Sequence, residues 1–300
     1  MSVLVVGSVN QDYTVTVRRR PVPGETVGDA DFTTAGGGKG ANQASAVARL
    51  GGNVRLLARV GDDPEGQHMR AMLADAGVDI SAVEPVAGAR TGAAFITVTP
   101  DGENTIVVAP GANHALTAAG VEAAGLADDH SRVLVMQLEI PMEAVMRAAE
   151  LTSSTMRLVL NLSPARDVPH SLLIRADPLV VNESEAGFLL GRSIDGIDAA
   201  RAAAADLVKL GARSAVLTVG AAGAVAVTNG VVTHVPAPEV RVVDTTGAGD
   251  AFVGAVALRL AEDADLLDAV RLGVRAGAGA ATRAGARSVP LREDLPAEPQ

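Results

Sequence analysis

Short Val- and Leu-rich runs alternate with Ala-rich stretches along most of the chain. Val3–Val6, Val54–Val60, Val133–Leu138, Leu158–Leu160, Leu179–Val181 and Ala215–Val219 are almost wholly apolar, the pattern of strands buried on both faces. Lys39–Leu50, Pro64–Ala76, Pro141–Leu151, Glu183–Leu190, Ala199–Leu210, Ala248–Ala261 and Leu266–Ala281 carry helical patterns. Pro141 suits a first helical turn, and Gly77, Gly191 and Gly211 stand where helices stop. This alternation predicts an α/β fold around a mostly parallel sheet.

Two segments break the rhythm. Tyr13–Val17 alternates polar and apolar residues, and Gly24–Thr34 continues in an extended, turn-rich style. Ala93–Thr99 and Thr105–Val108 flank the turn signal Pro100-Asp101-Gly102. Together they predict a small separate sheet whose greasy face needs a cover. It could close over a site as a lid or meet another subunit; the alternative is an edge extension of the main sheet. Ser214–Pro238 contains no Asp, Glu, Lys or Arg, yet Gly220, Gly223 and Asn229-Gly230 interrupt it. Asn-Gly between Val-rich runs is a hairpin signal, so this stretch reads as three strands and not as a membrane span.

Composition narrows the function. The 300 residues include 56 alanines and 32 glycines, no Trp, no Cys and five aromatic rings: Tyr13, Phe32, Phe95, Phe188 and Phe252. Disulfides and thiolate chemistry are excluded, and a base-stacking surface for single-stranded nucleic acid is nearly so. The formal net charge of −10 also opposes nucleic-acid binding, and Arg18-Arg19-Arg20 before Pro21 reads as a solvated turn. The apolar start is short and lacks basic residues, so a cytoplasmic protein with no signal peptide is expected. His68, His114, His130, His170 and His234 show no metal-ligand spacing.

Three polar clusters are candidates for chemistry. Asp244-Thr245-Thr246-Gly247-Ala248-Gly249-Asp250 follows an extended run and opens an Ala-rich helix. Its glycines let amides approach a ligand, and a helix start favours an anion, with Asp250 in the first turn. A plain turn with a dipole-complementing aspartate is the competing reading. Gly36-Gly37-Gly38-Lys39-Gly40-Ala41-Asn42-Gln43 precedes another helix, with Lys39 and Asn42 as donors. It is not a P-loop, because Gly40 follows Lys39, and no dinucleotide fingerprint is present. Finally, Val3–Val6 runs into Gly7–Asp12, where Asn10 and Asp12 share one face of an extended segment. An amide beside a carboxylate suits paired hydroxyls, although an Asx turn would use the same residues.

The two glycine clusters, in this order, resemble the two signatures of the PfkB (ribokinase-like) carbohydrate kinases. The resemblance extends through Gly7–Asp12, Pro23–Thr26, Thr91-Gly92, Gly111–Asn113, Gln137–Glu139, Asn182–Glu185, Thr218–Gly220 and Thr282–Ala286, and so covers nearly the whole chain. It implies one α/β domain over residues 1–300, a three-layer sandwich with a small β-sheet lid from insertions at about 13–35 and 92–109. It also implies ATP-dependent phosphorylation of the primary hydroxyl of D-ribose. By the same resemblance Asp250 is the catalytic base, and the amides of Gly247, Ala248 and Gly249 form an anion hole. Asn10, Asp12, Gly38, Lys39, Asn42, Glu139 and Asp250 then bind the sugar, and Asn182, Thr218, Gly220, Gly223 and Gly249 the nucleotide. Asn182 and Glu185 organise Mg²⁺ largely through water. Asp244, Thr246, Ala280, Arg283, Gly285 and Ser288 form a K⁺ loop, and the lids of two subunits form a homodimer.

The pattern departs from the family at three points. One residue fewer separates Gly285 from Ser288, Val274 replaces a polar residue common near the adenine, and Asn161-Leu162-Ser163-Pro164 replaces N-P-x-P. Another sugar or nucleoside kinase of the family is the nearest alternative, though scarce rings disfavour a nucleoside. A non-catalytic sugar-binding module is the alternative from another class, and a nicotinamide oxidoreductase is weaker still.

Overall fold

The computed structural model describes residues 2–100, 104–152 and 156–298. Their strands are β1 Ser2–Val6, β2 Asn10–Thr16, β3 Asp31–Gly37, β4 Asn53–Gly61, β5 Asp79–Val86, β6 Gly92–Val98, β7 Asn104–Ala109, β8 Val133–Met136, β9 Arg157–Asn161, β10 Ala176–Asn182, β11 Ala215–Thr218, β12 Ala224–Thr228 and β13 Val231–Val235. The helices are α1 Lys39–Arg49, α2 Pro64–Asp75, α3 Ala118–Ala123, α4 Met142–Leu151, α5 His170–Leu173, α6 Glu183–Leu190, α7 Gly196–Lys209, α8 Ala248–Ala261 and α9 Leu266–Ala281.

Nine strands form the main sheet in the order β13-β12-β11-β10-β9-β8-β1-β4-β5. It is parallel from β11 to β5, and β12 and β13 return antiparallel through the Asn229-Gly230 turn. Alternation along β1 sorts the core into two layers. Val3 and Val5 pack with α1, α2, α8 and α9, whereas Leu4 and Val6 pack with α3 to α7. The result is a three-layer α/β/α sandwich. The chain leaves β1 toward β4 on one side, while β8 pairs with its other side. Ligand crevices in open α/β sheets lie beyond the carboxyl ends of the strands where the order diverges in this way.

The two irregular segments form a separate four-stranded sheet, β3-β2-β6-β7, rather than an edge extension. Within it β2 pairs parallel with β6, and both outer pairs are antiparallel. The expected turn at Pro100-Asp101-Gly102 lies partly outside the described residues. Pro141 stands just before α4 with ψ 137°, as its N-cap rather than in its first turn. Among the described residues no helix is long and apolar enough to cross a membrane.

Candidate active site

The polar clusters converge at the carboxyl ends of the main-sheet strands. Gly7–Asn10 follow β1, Gln137–Glu139 follow β8, Asn182 ends β10 and Thr218 ends β11. The starts of α1 and α8 face this rim and bring their glycine loops to it.

Asp250 occupies the first turn of α8 and is only 7% exposed. One carboxylate oxygen accepts from Asn42 Nδ2 and the other from Gln43 Nε2, both at 2.9 Å. Gly247 caps the helix with φ 76°, and a Cβ there would stand 2.1 Å from the Ala286 carbonyl oxygen. Only glycine both adopts that conformation and lets the 282–288 segment approach so closely. In the first turn of α8 the Ala248 amide donates to the Thr245 carbonyl at 3.1 Å, whereas the Gly249 amide has no earlier helical carbonyl to bond and offers a donor beside Asp250.

Around this base lie Asp12, Lys39 and Glu139. The Lys39 amide at the start of α1 donates to Glu139 at 3.1 Å, and the Ser8 hydroxyl donates to the same oxygen at 2.5 Å. Glu139 therefore caps α1 while remaining at the crevice. Asn10 sits on β2 with its Oδ1 accepting from Asn113 Nδ2 at 2.7 Å. Asn113 also exchanges two hydrogen bonds with the Val9 backbone, which fixes the Asn10 amide. Asn10 and Asp12 share one strand face, as the alternation predicts, and no Asx turn forms. Burial, then Glu139 and Asp250, push the Asp12 carboxyl up to about 6, against the opposing pull of Arg287. Burial alone would lower Lys39, but Asp250, Glu139 and Glu185 outweigh it and hold the ammonium above its ordinary value.

A cavity of about 560 Å³ opens beside the start of α8. Thr218, Gly220 and Gly223 line one side and Ala248 and Gly249 its floor, with Phe252, Val240, Val242 and Val274 as apolar walls. It matches an adenine and ribose in size and joins the first-turn amides. Val274 lines it, as the sequence position suggests. Asn182 stands in register with Thr218 on the adjacent strand. Its side chain caps α6 by accepting from the Glu185 amide at 2.8 Å, while Glu185 accepts from the Asn182 amide at 2.9 Å. Both oxygens bond main chain, and among the described residues no three acidic or His side chains cluster as a metal site.

Asp244 ties the loop before α8 to the segment after α9. Its carboxylate accepts from the amides of Thr246 at 2.8 Å and Gly285 at 2.9 Å. Burial works against the charge, but these hydrogen bonds prevail and lower the Asp244 carboxyl below its ordinary value. The same hydrogen bonds hold the 244–246 segment against Gly285. Ser288 spends its hydroxyl on the Gly285 carbonyl at 2.6 Å, and the Arg283 amide bonds the Ala280 carbonyl at 3.0 Å.

Gln43, Gln137, Asn161, Ser8 and Asn113 belong to the site although no role could be assigned to them in the sequence. Each lies inside or beside a recognisable motif, but only the three-dimensional hydrogen bonds reveal what it does.

A buried carboxylate in the first turn of a helix, beside a cavity of this size, suits phosphoryl transfer. A profile described as pfkB family carbohydrate kinase matches residues 1–293, and the chain belongs to that family. It is 36% identical over 297 residues to a ribokinase of Staphylococcus aureus, with 98% of each chain covered. It is 35% identical over 290 residues to a deoxyribokinase of Salmonella typhi, covering 96% of this chain and 95% of that one. A solved structure of Arabidopsis thaliana ribokinase complexed with ribose and ATP superposes with a TM-score of 0.85 at 30% identity, covering 97% of this chain and 96% of that one. The fold is ribokinase-like and the protein is a carbohydrate kinase.

Proposed function

We propose that the chain transfers the γ-phosphoryl group of ATP to the primary hydroxyl of D-ribose, giving D-ribose 5-phosphate and ADP. The observation that carries this reading is the Asp250 carboxylate, buried in the first turn of α8 and oriented by Asn42 and Gln43. Asp250 takes the proton of the attacking hydroxyl as its oxygen bonds to phosphorus and ADP departs. The amides of Gly247, Ala248 and Gly249 bind the charge that spreads over the transferring group. Asn10, Asp12, Gly38, Lys39, Asn42 and Glu139 hold the sugar hydroxyls, and buried polar partners of this kind reject analogues lacking a hydroxyl. ATP lies along Thr218, Gly220 and Gly223, with Asn182 at its phosphates.

Asn182 and Glu185 hold Mg²⁺ through water, and the ion neutralises phosphate charge when bound. The carbonyls strapped together by Asp244, with Thr246, Ala280, Arg283 and Gly285, hold K⁺, which stiffens the loop leading to the anion hole. The small sheet closes over the sugar as a lid. Its strands present Phe32, Phe95 and Val107 to solvent at 61%, 52% and 64% exposure, and a second copy covers them in a cytoplasmic homodimer.

The deciding experiment measures ADP release with ribose, 2-deoxyribose, fructose, adenosine and uridine, with and without K⁺, for the wild type and Asp250→Asn. We expect ribose to give the highest kcat/KM. The variant should lose about 10²–10⁴-fold in kcat while ribose binding by calorimetry persists. Near-normal turnover by Asp250→Asn removes the base, and preference for a nucleoside removes ribose as the substrate.

A further inference from the structure

Behind the catalytic carboxylate runs a chain of buried amides that no step above requires. Asn161 Nδ2 donates to the Val180 carbonyl at 3.3 Å, so its Oδ1 must face the other way. That oxygen accepts from Gln43 Nε2 at 3.0 Å. The same Gln43 nitrogen spends its second hydrogen on Asp250 at 2.9 Å. Gln43 Oε1 in turn accepts from Gln137 Nε2 at 2.6 Å. Gln43 and Gln137 are fully buried, and Asn161 is 8% exposed.

The polarity of this relay is forced. A backbone carbonyl can only accept, which fixes Asn161; Asn161 then fixes Gln43, and Gln43 fixes Gln137. A flipped Gln43 would aim its own oxygen at two acceptors, Asn161 Oδ1 and the Asp250 carboxylate. The far end carries a signature of this constraint. Gln137 Oε1 is buried with no hydrogen-bond partner, in the space where a Cβ on Gly7 would stand 2.0 Å away. An isolated Gln137 would turn that oxygen toward a donor, and its fixed donation to Gln43 holds it where it is.

We propose that Gln137 and Asn161 act through Gln43 as positioning residues, locking the Gln43 amide so that it always presents an N–H to Asp250. One carboxylate oxygen is thereby held by Gln43 and the other by Asn42, and the plane of the base is fixed toward the substrate hydroxyl. Gln137 packs against Gly7 and reaches Asp250 only through Gln43, so its contribution to the base passes through the Gln43 amide. The inference rests on Asp250 being the base.

The test is a double-mutant cycle on the full-length protein with Gln137→Met and Gln43→Met, reading kcat, sugar affinity by calorimetry and thermal stability. Gln137→Met should lower kcat about 10- to 100-fold, the scale on which misplacement of a catalytic group acts, with the sugar Kd within twofold. In the Gln43→Met background the same change should lower kcat by less than threefold, because the relay is already cut. Gln137→Leu removes the same donor with a different side-chain shape. It should reproduce the loss, which covers the case in which the methionine variant does not fold. Retention of kcat within twofold by a folded Gln137 variant overturns the proposal, as does a further loss of threefold or more in the double variant. If Asp250→Asn is active, the base assignment has failed; if Asp250→Asn is inactive while the Gln137 variants are normal, only the relay has.

Discussion

Asp12 offers the sharpest quantitative test, because the carboxylate that should bind sugar hydroxyls sits in a place that resists its charge. Burial and the neighbouring Glu139 and Asp250 raise it from the ordinary 3.8 to about 6. At about 1.4 kcal/mol per pH unit, the ionised form costs the folded protein about 2–3 kcal/mol, allowing for solvent at its open side. Between about 3.8 and about 6 the folded protein holds a proton there that the unfolded chain has released. Stability therefore falls as pH rises through that window, and the full penalty stands above it. Asp12→Asn keeps the shape and removes the charge. Without ligand at pH 8 it should be about 2–3 kcal/mol more stable than the wild type, a rise in Tm of about 4 °C for a chain of this size. At pH 4.5 the gap should shrink to about a third of that value. The same variant should bind ribose at least tenfold more weakly, since a charged acceptor for the hydroxyls is gone. Urea unfolding at both pH values and calorimetry with ribose read the three quantities. A variant no more stable at pH 8, or a gap equal at both pH values, would refute the crowding argument.

Two further outcomes probe the anion hole and the small sheet. Gly247→Ala places a methyl 2.1 Å from the Ala286 carbonyl oxygen at a positive φ, so the first turn of α8 must shift. We expect kcat to fall at least about 10²-fold with sugar affinity by calorimetry unchanged; a loss confined to KM would count against the amides as the phosphoryl site. Phe95→Glu puts a charge among stacked rings, with Tyr13 and Phe95 centroids 5.4 Å apart. Light scattering should report a dimer for the wild type and a monomer for the variant; a monomeric wild type, or a mass the substitution leaves unchanged, would count against this face as an interface.

How much of this was legible in the sequence differs between fold and site. The helices α6, α8 and α9 match the Ala-rich patterns to the residue, and Asn229-Gly230 locates the β12–β13 turn, because local chemistry alone fixes these features. β5 was missed because Asp79–Val86 carries Asp, Ser, Glu and Pro85 at the sheet edge, where one face is open and a proline is tolerated. α3 and α5, six and four residues long, are too short to show a helical period. In the site, Asp250, Lys39 and Asn10 stand in motifs that declare themselves. Gln43, Gln137 and Asn161 lie in or beside such motifs too, but their roles stay hidden because they depend on contacts between residues 94 to 207 positions apart.

The unusual composition is itself part of the catalytic geometry. In the proposed reaction the sugar-binding loop begins α1 and the anion hole begins α8, so the distance between those helices would set the distance between acceptor and phosphoryl group. A Cβ on Gly254 of α8 would stand 2.6 Å from the Ala46 Cβ and 2.8 Å from the Gln43 carbonyl oxygen of α1. The two helices thus meet nearly backbone to backbone, closer than larger side chains would allow. On the other side of α8, Gly273 of α9 leaves room for Phe252 and Val256. Alanine and glycine at these contacts bring Gln43 within hydrogen-bond reach of Asp250, whereas leucines at the same positions would hold the two loops apart. Small side chains at the α1–α8 contact are therefore a condition for the Asp250 carboxylate and the loop before α1 to meet.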